Sequence, residues 1–139
     1  MSLTCCAIIV AAGNSTRMNR KGSKQMIPLL GKPVLVYTLQ AFQQAKQIDK
    51  IVVVCRSEEK EQIQNLLETY QIEKVVALSE GGKTRQESVQ CGLRAAGKAD
   101  YYAIHDGVRP LILPTEIDKV ILDAHHWKAS FLGSAVKDT

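Results

Sequence analysis

Short, mainly apolar runs and longer stretches of helical spacing take turns along this chain. Residues 5–10, 51–55, 74–78 and 101–105 are mostly apolar or β-branched. The first of these shows no polar alternation, the pattern of a strand buried on both faces of a parallel sheet. Residues 131–136 predict a fifth strand. Between the runs, Leu35, Leu39, Phe42 and Ala45 or Lys46 mark one helical face, and Ile63, Leu66, Leu67 and Tyr70 fall at i, i+3, i+4, i+7. Val89, Leu93 and Ala96 form a third stripe, and Ile117, Val120, Ile121 and Ala124 a fourth. Local signals mark the ends. Residues 27–30 are a short apolar step, Gly31 turns the chain, and Pro33 suits the first turn of a helix. Ser57 is the expected cap of the second helix, with Glu58, Glu59 and Glu61 near its positive end. Thr84 with Glu87 makes a capping box, Gly97 is a helix stop, and Thr115 is the expected cap of the last helix.

Strands alternating with helices require right-handed crossovers and a mainly parallel sheet covered on both sides, a three-layer Rossmann-like α/β sandwich. Ligands of such sheets bind outside the carboxyl ends of the strands. The Gly13 loop, Gly81-Gly82, Asp106 and Asp138 all follow predicted strands, so they are expected along one edge. Taken singly, Gly81-Gly82 fits an ordinary turn, Asp106 the start of another, and Arg109 a surface ion-pair partner. Their shared placement is what singles them out.

The loop after the first strand carries the strongest chemistry. Ala11, Ala12 and Gly13 have almost no side chain, which leaves backbone N–H groups free to face a phosphate or a base edge. Arg17, Arg20, Lys21 and Lys24 then place four cations within eight residues of a chain whose net charge is only +4. A polyanion is the natural partner. No G-x-G-x-x-G follows and no G-x-x-x-x-G-K-[ST] can be laid over residues 13–24, which disfavours a dinucleotide fold or a P-loop. A glycine loop with cations, facing a carboxylate such as Asp106 that suits Mg²⁺, is equipped for transfer at phosphorus. At ~4 Å and an effective dielectric near 20, each cation is worth roughly 4 kcal/mol against one phosphate charge.

Composition narrows the field further. A chain of 139 residues, 45% hydrophobic and 23% charged, suits one soluble domain. The pI of about 8.9 is mildly basic, but aromatics are only 5% and no basic stripe interleaves them, so nucleic-acid binding has little support. Neither a membrane span nor a signal peptide is indicated, and Met1-Ser2-Leu3 reads as a cloning remnant. Cys5, Cys6, Cys55 and Cys91 show no C-x-x-C spacing and fit buried free thiols in a reducing, cytoplasmic setting. His105, His125 and His126 are too scattered to make a zinc site with them, and the His pair is expected along a helix surface. There are no internal repeats and no low-complexity segments.

The segments AIIVAAGNSTRM at 7–18, Lys24-Gln25, GGKTRQESV at 81–89, HDGVRP at 105–110 and VKDT at 136–139 together resemble the methylerythritol phosphate cytidylyltransferases of the non-mevalonate isoprenoid pathway. The resemblance implies a reaction of CTP with 2-C-methyl-D-erythritol 4-phosphate, whose phosphate oxygen attacks the α-phosphorus and expels pyrophosphate. It implies that Arg17 and Lys24 are the catalytic cations and that Ala11, Ala12, Gly13, Gly82 and Ser88 read the cytosine. It further implies that Asp106 is a Mg²⁺ ligand, that Arg109 and Thr139 line the acceptor pocket, and that the intact protein is a homodimer. Ser15 stands where the family usually has a second loop glycine, and Lys83 where an acidic residue is common. The family continues past the position of Thr139 into a dimer arm, a second metal-binding aspartate and a phosphate-binding lysine, so a single CTP-binding domain truncated at its C-terminus is the expectation. Two alternatives stand beside it. Ribitol 5-phosphate cytidylyltransferases are related, but their loop tends to read A-G-G with Thr at the position of Ser88. A nucleotide-binding module without catalysis is the other.

Overall fold

The computed structural model describes residues 3–13, 24–109 and 111–127. Four strands, β1 (Cys5–Ala11), β4 (Lys50–Cys55), β5 (Val75–Glu80) and β6 (Tyr101–Asp106), form one parallel sheet in the order β5-β4-β1-β6. A two-stranded hairpin of β2 (Pro28–Leu29) and β3 (Lys32–Pro33) lies apart from it. Its turn is Leu30-Gly31, both at positive φ, +52° and +84°. That geometry matches the twist of a two-residue hairpin, and Gly31 adopts it without steric cost. The short apolar step expected at 27–30 is therefore half of a hairpin whose tip, Leu30, is 92% exposed.

Helix α1 (Val34–Gln44) links β1 to β4, and α2 (Lys60–Thr69) links β4 to β5. Both lie on the same face, where Leu35, Leu39, Phe42, Ile63 and Leu67 pack with Cys5, Ala7, Ile9 and Val53. The chain then returns across β4 and β1, and α3 (Arg85–Ala96) covers the opposite face, against Cys6, Ile8, Val52 and Val54. Helix α4 (Pro114–Trp127) rejoins the first face through Ile117 and Ile121. Strand order therefore reverses at β1, and the crevice beside its carboxyl end is where doubly wound sheets bind ligands.

Cys5 and Cys6 point to opposite faces, as period-2 side chains must. No disulfide joins the four thiols. Burial pushes Cys5 up to about 12 and Cys55 up to about 11, so both stay protonated and unreactive.

Several local expectations change. Ser57–Glu59 is a 3₁₀ turn, and Glu59, not Ser57, stands at the α2 cap without a side-chain capping bond. The Thr84 cap is confirmed by its Oγ1 accepting from Glu87 N–H at 3.1 Å, but Glu87 Oε1 accepts from Lys83 N–H (2.8 Å) instead of from Thr84. Helix α4 starts at Pro114, one residue before Thr115, and Glu116 accepts from Leu113 N–H at 2.9 Å. His125 is partly buried with its ring 4.6 Å from that of Tyr101, not simply on the surface. The expected strand at 131–136 and Asp138 lie outside the described residues.

The buried stripe of α3 is Ser88, Gly92 and Ala96, with Val89 and Leu93 only half-buried. A Cβ on Gly92 would stand 2.5 Å from Ile8 Cγ2 and 2.8 Å from Val54 Cγ2. The missing side chain is what lets α3 lie close to the sheet. Gly92→Val should cost about 1–3 kcal/mol of stability by overpacking, read as a lower urea midpoint at unchanged slope. An unchanged midpoint would mean that α3 is free to move away.

Candidate nucleotide site at the carboxyl edge of the sheet

Three segments meet where β1, β5 and β6 end. Gly81 N–H donates to Cys55 O at 3.0 Å, and a Cβ on Gly81 would lie 2.6 Å from both Ala12 Cβ and Ser88 Oγ. Only glycine permits that approach. Gly107 N–H donates to Val10 O (2.9 Å), and its carbonyl accepts from the buried Thr38 hydroxyl at 3.0 Å. The turn after β6 is thereby fastened to both β1 and α1. Gly82 N–H in turn donates to Ser88 Oγ at 3.1 Å, which orients the hydroxyl at the start of α3.

The charged part of the rim is a carboxylate between two guanidiniums. Arg85, in the first turn of α3, reaches Asp106 Oδ1 with Nε and Nη2, both at 3.2 Å. Arg109 Nε lies 3.8 Å from Asp106 Oδ2. Both arginine side chains are more than half exposed, so these contacts exchange readily with solvent or a stronger anion. Burial pushes His105, the neighbour of Asp106, below the ordinary imidazole range, and its ring packs at a tilt of 51° against Phe42, with centroids 5.2 Å apart. Among the described residues, no group of three or more His, Cys, Asp or Glu is arranged to hold a metal. Asp106 by itself, with its side chain 33% exposed, is a hard oxygen donor. It fits a cation such as Mg²⁺, which takes one or two carboxylates and completes its shell from phosphate oxygens and water.

The loop after β1 is pinned from within. The side-chain nitrogen of Gln25, a residue 2% exposed, donates to the Ala11 carbonyl and lies 3.5 Å from the Gly13 carbonyl and 3.3 Å from Glu59 Oε1. Gln25 belongs to the 3₁₀ turn Lys24–Met26, so Lys24 leaves the chain at the base of the same loop, with its side chain exposed. The Ala11 carbonyl, expected to face the base, belongs to a buried residue and accepts from the Gln25 amide. Ala12 is half-buried, while Gly13 and Gly82 are exposed.

The structure thus brings together Ala12, Gly13, Gly82, Ser88, Asp106 and Arg109, with Lys24 at the loop base. Arg17 and Thr139 lie outside the described residues. Sequence reasoning gave Glu59 only to the start of α2 and left Gln25 and Arg85, quoted within longer motifs, without roles of their own. The only available signal was a polar residue beside Lys24 and an arginine at a helix start. An open groove of about 680 Å³ between α2 and the outer edge of β5 is lined by Leu67, Ile72, Val76 and Lys60 among others and shares none of these side chains.

Known proteins place this edge in context. The 2-C-methyl-D-erythritol 4-phosphate cytidylyltransferase of Clostridium novyi is 47% identical over 135 residues, covering 96% of this chain and 58% of that protein. The chain therefore spans less than two thirds of the curated relative's length. The crystal structure of 4-diphosphocytidyl-2C-methyl-D-erythritol synthase from Anaerococcus prevotii superposes with a TM-score of 0.73 at 32% identity, over 87% of this chain and 50% of that one. The fold alone is shared with a CMP:2-keto-3-deoxy-manno-octonic acid synthetase solved with CTP, at a TM-score of 0.70, 16% identity and coverage of 91% and 49%. No described helix is long and apolar enough to cross a membrane. The family model for IspD, 2-C-methyl-D-erythritol 4-phosphate cytidylyltransferase, matches residues 5–139, and the chain belongs to that family.

Proposed function

We propose that this chain is the CTP-binding domain of an enzyme that transfers CMP from CTP to 2-C-methyl-D-erythritol 4-phosphate with release of pyrophosphate. The observation that carries this reading is the meeting of the Ala12-Gly13 loop, Gly81-Gly82 with Ser88, and the Arg85–Asp106–Arg109 cluster at one sheet edge, in a member of this family. An acceptor phosphate oxygen forms a bond to the α-phosphorus while the bond from that phosphorus to the bridging oxygen breaks, and the electron pair leaves with pyrophosphate. Such displacement needs positioning and charge neutralisation more than covalent help.

In this reading Lys24 and Arg17 balance the charge that grows on the phosphate oxygens. Asp106 is the residue that would hold Mg²⁺, which supplies charge neutralisation to the triphosphate when bound. Arg109 and Thr139 meet the acceptor phosphate, and Arg109, held loosely at 3.8 Å by Asp106, is free to turn toward it. The base is read by backbone groups of Ala12, Gly13 and Gly82 together with the Ser88 hydroxyl.

Two outcomes test this. Lys24→Ala in the full gene product should lower kcat by about a hundredfold while CTP affinity changes only several-fold, because the cation acts chiefly on charge that develops in the transition state. Equal loss in rate and in affinity, from pyrophosphate release and calorimetry, would confine Lys24 to ground-state binding. CTP should bind at least about tenfold tighter than UTP, since backbone carbonyls accept from the cytosine amino group and face a carbonyl in uracil. Equal affinities would remove the assignment of these loops to the base. Running the release assay with ribitol 5-phosphate beside methylerythritol phosphate tests the acceptor, and CTP binding with no release from either would leave only a nucleotide-binding module.

A further inference from the structure

Burying a primary amide is costly unless its polar atoms find partners. Gln25 is nonetheless buried, and its nitrogen faces three oxygens: the carbonyls of Ala11 and Gly13 and the Glu59 carboxylate. All three are acceptors, which fixes the carboxamide with its NH₂ toward them. Glu59 is itself buried, at the start of α2. One side chain thus ties together the loop after β1, the turn that carries Lys24, and the beginning of α2.

The consequence falls on Lys24. A lysine has a long flexible stem, so the point from which it leaves the backbone sets where its ammonium spends its time. That point is one residue from an anchor that grips backbone at Ala11 and Gly13, the same strand end that would receive the nucleotide. A misplacement of ~1 Å in a transfer site costs roughly a hundredfold in rate. We infer that Gln25, braced by Glu59, is a positioning residue that holds Lys24 in register with the Ala11–Gly13 backbone. This rests on the cytidylyl-transfer reading given above, and deepens it.

The test is a double-mutant cycle in the full gene product, with Gln25→Met, which keeps the side-chain volume but loses both donors, and Gln25→Ala beside it. Either substitution should lower kcat at least about tenfold with the KM for CTP within about threefold. In a Lys24→Ala background the same substitutions should cost less than about twofold, because the group they position is gone. Losses that multiply in full across the two backgrounds would make Gln25 a structural residue unconnected with Lys24, and so overturn the inference while leaving the reaction assigned. Unchanged kcat in Gln25→Met would overturn it too. A wild-type protein that binds CTP but releases no pyrophosphate with either acceptor would overturn the transfer reading, and this inference with it.

Discussion

Strand β1 is hydrogen-bonded along both edges, to β4 and β6, and buried on both faces. Its carboxyl end is therefore flanked by a paired strand on each side, and everything proposed for the site is hung from it. Val10 holds Gly107, Ala12 sits against Gly81, and Ala11 is gripped by Gln25. Gly81 has no room for a side chain, because a Cβ there would stand 2.6 Å from Ala12 Cβ. The reversal of strand order at β1 makes the adjoining crevice available, since α1 and α3 leave on opposite faces.

Charge is arranged around this fixed end instead of inside it. Asp106 sits between Arg85 and Arg109 at the surface, where ion pairs are worth little and can be exchanged. Such a cluster is well suited to a polyanion: the arginines can turn to phosphate while the carboxylate is released to a cation. The interior polar contact, Gln25 with Glu59, is of the other kind. It is buried, so losing a partner leaves groups that water cannot reach, and it serves to hold shape.

The alternation of strands and helices, the parallel sheet and the gathering of the Gly13, Gly81-Gly82 and Asp106 segments at one edge were legible in the sequence, because unbroken apolar runs and i, i+3, i+4 spacing report burial directly. What was not legible depends on contacts between distant segments. The α3 stripe was read from Val89, Leu93 and Ala96, of which Ala96 does face the sheet, while the rest of that face is Ser88 and Gly92, whose smallness hides them from any hydrophobic pattern. Ser57 looked like a cap, yet a 3₁₀ turn moves the start of α2 to Glu59. Gln25 was legible only as the neighbour of Lys24 and Glu59 only as a charge at the start of α2, since nothing local shows that they lie 3.3 Å apart across 34 residues.

The central claim is that the segments after β1, β5 and β6 form a single nucleotide site. Backbone amide shifts followed by NMR during a CTP titration with Mg²⁺ test it most directly. Shifts gathered at residues 12–13, 24–26, 81–88 and 106–109, saturating together with one affinity, are the predicted result. Shifts concentrated instead in the α2–β5 groove, around Gln64, Leu67 and Val76, would contradict it.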